Sequence, residues 1–142
     1  MKKAKLFILF VLAALLCLPL AACEPFAGYE DNAAIAKGNS FSSSLSATTN
    51  NAGKYTFSAN KCNGIKKLRD ITVPENPVFD MTLKVESGRF KVVLVKDGEV
   101  FIICESDTEG PVSTTLAAGK YALKLVAEDA KVKLTFNYNS YT

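Results

Sequence analysis

From Asn39 onward, apolar and polar residues alternate with a period of two, the mark of strands buried on one face. Phe41, Ser43, Leu45 and Ala47 start the pattern, and Asn50-Asn51-Ala52-Gly53 supplies a turn before Tyr55 and Phe57. Ile65, Leu68, Ile71 and Val73 are unevenly spaced, so a bulge or turn is expected within 65–73. Phe79, Met81, Leu83 and Val85 then alternate with Asp80, Thr82, Lys84 and Glu86.

Turn chemistry organises the rest of this pattern. With Ser87-Gly88 as a hairpin loop, Val85 faces Phe90, Leu83 faces Val92 and Met81 faces Leu94. Asp97-Gly98 is a strong two-residue hairpin signal, which sets Leu94 against Phe101 and Val92 against Ile103. Both registers put the same residues on one face. The other face collects Val93, Val95, Val100, Ile102 and Cys104, an apolar patch that must be covered or must bind something. A polar loop, Ser106–Pro111, precedes a short strand near Val112–Leu116. With Asp129-Ala130 as the last loop, Tyr121 pairs with Tyr138, Leu123 with Phe136 and Leu125 with Leu134, leaving Lys124, Lys131 and Lys133 on a wet face. The expected fold is all-β: a single antiparallel two-sheet β-sandwich over residues 39–142, jelly-roll-like with eight or nine strands, following an N-terminal signal helix.

The beginning of the chain follows a different rule. Lys2, Lys3 and Lys5 precede an apolar run from Leu6 to Leu18, and Pro19–Ala22 are small or turn-forming. That is the three-part layout of a secretory signal peptide, with an apolar run shorter than the ~20 residues of a spanning helix. Leu20-Ala21-Ala22-Cys23 resembles the lipobox of bacterial lipoproteins. The resemblance implies a signal peptide over 1–22 and a diacylglyceryl thioether on Cys23. It also implies a lipidated tether over 23–38, in which Phe26, Tyr29 and Ile35 are free to dock on the domain. Two acyl chains hold a domain stably at a membrane surface, so membrane lipid is the first expected partner and the location is extracytoplasmic. Glu24 does not decide which membrane face holds the anchor.

Composition changes the picture in three places. Removing Lys2, Lys3 and Lys5 from the 17 basic residues leaves 14 against 14 acidic, so no nucleic-acid footprint survives. The absence of histidine removes the usual general base and the commonest metal ligand. Cys17 leaves with the signal and Cys23 is acylated, so Cys62 and Cys104 remain. Outside the cytoplasm that pair is a disulfide candidate across the second face of the meander, closing a loop worth roughly 3–4 kcal/mol; the alternative is two buried thiols.

Chemistry-bearing clusters are sparse. Glu105, Asp107 and Glu109 alternate before Gly110 and could offer oxygen ligands to calcium, but three acids are too few for a complete site, and a solvated turn is the preferred reading; no metal or cofactor is expected. The serines at 40, 42, 43, 44 and 46 form no nucleophile elbow and have no histidine to activate them, so no enzyme activity is expected. Leu116–Tyr121 (LAAGKY), followed by alternating apolar residues, is similar to the closing hairpin of pre-peptidase C-terminal jelly-roll modules. Small extracytoplasmic lipoproteins with one sandwich are a closer overall resemblance. Together these features point to a non-catalytic binding module for glycan or another envelope ligand, with Tyr55, Tyr138 or Tyr141 as stacking groups. The alternative is a protein-interaction lipoprotein (an inhibitor, a protective protein or an accessory subunit of an envelope complex) that uses the Val/Ile patch.

Overall fold

The computed structural model describes residues 26–138 and 141. The expected signal segment over 1–22 and Cys23, the expected lipidation position, lie outside the described residues. One helix, α1 (Asn32–Lys37), is followed by seven strands: β1 (Phe41–Ser44), β2 (Ala47–Asn51), β3 (Lys54–Val73), β4 (Val78–Lys96), β5 (Glu99–Cys104), β6 (Thr108–Ser113) and β7 (Gly119–Asn137). All pair antiparallel in a single sheet of order β1-β3-β7-β4-β5, with β2 also on β3 and β6 also on β4. The all-β expectation holds. The expected pair of separate sheets is not seen among the described residues: hydrogen bonding is continuous across one open sheet, whose three central strands are long and run its full length.

A flat sheet could not bury this many apolar residues. Phe57 opposes Leu134 and Phe90 opposes Ala127, seven residues earlier on β7. In a straight sheet those rows would lie roughly 23 Å apart. Instead the two rings stack with centroids 6.4 Å apart. Cys104 opposes Val92, yet its Sγ lies 3.1 Å from Sδ of Met81, eleven residues earlier on β4. The sheet therefore folds over on itself and closes a core between its own halves.

The corner is built into all three long strands at one level. Register shifts occur at Ala59/Cys62 and Cys62/Gly64 on β3 and at Val85/Ser87 and Ser87/Arg89 on β4. On β7, Asp129 takes a positive φ of 46°. Such bulges bend a strand and increase its twist. Gly64 (φ 102°) and Gly88 (φ 71°) sit at this corner; a Cβ on Gly88 would lie 2.2 Å from the Asp129 carbonyl oxygen. Asn63 braces the bend by donating to the Asp129 carboxylate at 2.8 Å and accepting from its backbone N–H at 2.7 Å. The edges break at the same level, where β1 hands over to β2 and β6 to β5.

This corner corrects two expected hairpins. Ser87-Gly88 and Asp129-Ala130 do not reverse the chain; β4 and β7 pass straight through them. The inward residues are nevertheless those the alternation marked, namely Phe79, Met81, Leu83, Phe90, Val92 and Leu94 on β4. On β7 the inward set changes parity between Ala127 and Ala130. The Asp97-Gly98 hairpin does form, with φ 52° and 83° as a type I′ turn demands. It pairs Leu94 with Phe101 and, after a bulge, Val92 with Cys104 rather than Ile103.

A smaller apolar layer lies on the opposite face. Tyr29 and Ile35 pack on Ile65, Val93, Val95 and Val126. The Val/Ile patch is thus covered by α1 and the segment before it, although Ile102 stays 48 % exposed. Asp31 caps α1 by accepting from the N–H groups of Ala33 (2.9 Å) and Ala34 (3.1 Å). Lys124, expected on a wet face, is instead buried beneath the helix end. Its ammonium donates to the carbonyls of Ile35 (2.9 Å), Ala36 (2.8 Å) and Gly38 (2.9 Å). All three protons are used, at the end of the helix where its dipole favours a cation. Among the described residues, no helix is long and apolar enough to cross a membrane.

Candidate functional site

The folded-over sheet leaves a cleft of about 210 Å³ at one end. Tyr55 and Tyr138 come from its first half, with Thr48 and Asn50 of β2 beside them. Leu123 and the run Lys66–Arg69 come from the second half. Tyr55 opposes Phe136 and Arg69 opposes Leu123, thirteen residues earlier on β7, so only the corner brings these walls together.

A local irregularity aims the most distinctive side chain into this cleft. The β3–β7 register shifts between Lys67 and Arg69. Lys67 opposes Lys124, which lies on the helix-covered face. Opposed residues share a face, and Arg69 opposes the core residue Leu123. The bulge at Leu68 therefore turns Arg69 inward, where strict alternation would turn it out. Its guanidinium lies 4.6 Å from the centroid of the Tyr138 ring. The uneven spacing of Ile65, Leu68 and Ile71 was the signal for this bulge, whereas nothing in the sequence singled out Arg69 or Lys66.

The tyrosines are not stacking groups on an open surface. Tyr55, Tyr138 and Tyr141 are 5, 5 and 7 % exposed. The Tyr138 hydroxyl donates to the side-chain oxygen of Asn50, and that of Tyr141 to the carbonyl of Val78. Tyr141 packs on Phe79 with centroids 5.1 Å apart, away from the cleft. Burial raises the Tyr55 pKa above its ordinary value, opposed in part by Thr48, so the phenol stays protonated at neutral pH. Nε of Arg69 is buried without a hydrogen-bond partner among the described residues, and the buried Tyr55 hydroxyl has Thr48 beside it.

The cysteines do not meet in a disulfide; both are free and buried. The Cys62 thiol donates to the Ala130 carbonyl at 3.3 Å, and Cys104 packs against Met81. Both belong to the inner core, not to the second face where the bridge was expected. The added residue in the β4–β5 register next to Val92 explains why Cys104 turns inward. Burial pushes each thiol up to about 11, which keeps it protonated and poorly nucleophilic.

The acids of the 105–109 stretch separate. Glu105 lies 3.9 Å from Arg89, Asp107 pairs with Lys84 and accepts from Val85 N–H at 2.7 Å, and Glu109 belongs to β6. The hydrogen bond from Lys84 holds the Asp107 carboxyl below its usual range. No group of three metal-ligating side chains occurs among the described residues. Lys131 and Lys133 share Glu86, at 2.6 and 3.6 Å. A second polar cluster is structural: Arg89 and Lys91 lie over the Tyr29 ring at 4.0 and 4.3 Å, and Glu30 pairs with Arg89. It fixes the segment before α1 to β4.

The chain matches no protein-family model, and comparison with curated proteins and with solved structures gives no match.

Proposed function

We propose that this is a membrane-anchored extracytoplasmic lipoprotein whose β domain is a non-catalytic binding module for a glycan or related envelope ligand. The observation that carries the binding half is the tyrosine-lined cleft with Arg69 and Lys66 in its wall. A cleft whose wall mixes apolar side chains with cationic and polar ones is what a sugar unit requires: apolar surface beside hydrogen-bond donors for its hydroxyl and acidic groups. The anchoring half rests on the Leu20–Cys23 motif and the apolar run before it. The non-catalytic reading is supported by a sequence without histidine and by two thiols held protonated in the core. The protein-interaction alternative has less support, because the flat Val/Ile face it calls for lies under α1.

One fractionation tests both halves. Wild-type protein should enter the detergent phase of extracted envelopes, and Cys23→Ala should remain aqueous. The aqueous Cys23→Ala protein should still cosediment with the detergent-insoluble envelope glycan. Identical partitioning of the two proteins contradicts the anchor. A variant that stays entirely in the supernatant contradicts the glycan reading.

A further inference from the structure

The cleft carries positive charge that the fold does not neutralise. Lys66, Lys67 and Arg69 all line it, and no aspartate or glutamate does. Only Lys67 has a carboxylate partner among the described residues, Asp70 at 2.8 Å. The Lys66 ammonium lies over the Phe41 and Phe57 rings at 5.8 and 5.5 Å, and Arg69 lies over Tyr138. Aromatic faces attract cations without cancelling their charge.

Two further observations concern Arg69 itself. Nε of Arg69, in the cleft wall, is a buried donor without a hydrogen-bond partner among the described residues, and native folds leave such groups unpaired only rarely. The bulge at Leu68 interrupts the β3–β7 ladder where it sets Arg69 opposite the inward-facing Leu123 and so into the cleft wall. Bulges recur where a strand must re-aim a side chain.

We infer that the ligand of this cleft carries an anionic group, a carboxylate or a phosphate, received by Arg69 with Lys66 beside it; this rests on the glycan reading above. The planar guanidinium offers parallel N–H groups to two oxygens of one anion. The Tyr138 ring, 4.6 Å from the guanidinium carbon, is the aromatic neighbour that steadies Arg69 in the cleft wall. At about 210 Å³ the cleft is smaller than the ~300–1,000 Å³ of drug-sized sites. It suits one acidic sugar or one phosphorylated polyol unit within a longer polymer.

Titration calorimetry on the purified protein with three probes tests the inference. The probes are a galacturonic acid trimer, a neutral galactose trimer of the same linkage and a glycerol phosphate trimer. At least one anionic trimer should bind on the order of tenfold tighter than the neutral one, the increment a charge-assisted hydrogen bond supplies. Whichever anionic trimer binds tighter identifies the source as carboxylate or phosphate. Arg69→Gln should remove the advantage, and Lys66→Gln, at a half-buried position, should reduce it even if the Arg69 variant fails to fold. Equal binding of all three trimers overturns the anion inference and leaves the glycan reading standing. Binding of none overturns both. An anionic advantage that survives Arg69→Gln in a folded protein overturns the assignment to Arg69.

Discussion

Cys62 and Cys104 show how a residue's surroundings decide its chemistry. An even pair of cysteines in an exported protein suggests a bridge, but each thiol here is enclosed by the core and held up to about 11 by burial. In the unfolded chain a thiol titrates near 9, so between pH 9 and 11 the folded state binds more protons than the unfolded state. Stability gained from burying the neutral thiols is fully present below pH 9 and is lost as pH rises through 11. Each thiol would contribute up to about 2–3 kcal/mol of that loss. Alkylation at pH 8 should be slow in native protein and should label both Cys62 and Cys104 in denaturant without reductant. Urea unfolding should show stability falling above pH 9, less steeply in Cys62→Ala. Labelling that requires a reductant would contradict the free thiols. Lys124 teaches the same lesson, since its place in an alternating hairpin pattern suggested solvent. The carbonyls of Ile35, Ala36 and Gly38 give it a buried role that only the position of α1 reveals.

At the scale of elements, the alternation marked which residues face the core but not how the chain connects them. A two-residue hairpin reverses the chain and changes the parity of inward positions. A bulge does the same to parity while the strand runs on. Val85 to Phe90 and Ala127 to Ala130 fit either description. Ser87-Gly88 and Asp129-Ala130 are turn-like because a corner, like a hairpin, needs positive φ. Local sequence therefore could not separate two hairpins from two bent strands of 19 residues each. Asp97-Gly98 was legible because both turn residues and the flanking register agreed. The corner itself is testable. Gly88→Ala places a Cβ 2.2 Å from backbone at φ 71°, while Gly98→Ala, also at positive φ, meets nothing within 4 Å. Gly88→Ala should cost about 1–3 kcal/mol in urea unfolding and clearly exceed Gly98→Ala. Equal costs would contradict a close crossing of β4 and β7 at the corner.

For the whole molecule, bending one sheet accomplishes what two sheets were expected to do. It encloses the core between its halves, leaves a cleft where they part and frees the outer face to receive α1. The candidate site was therefore only partly legible. Tyr55 and Tyr138 could be named as binding groups, but their opposition to Arg69 depends on the corner and on a second bulge, and spacing alone reported only that something irregular lay within 65–73. The most direct measurement is amide chemical-shift mapping of isotope-labelled protein titrated with soluble envelope-glycan fragments. The account predicts changes concentrated at Thr48, Asn50, Tyr55, Lys66–Arg69 and Tyr138, which are scattered in sequence and adjacent only in the folded-over sheet. Changes confined to α1 and Ile102, or to the β5–β6 edge, would contradict it.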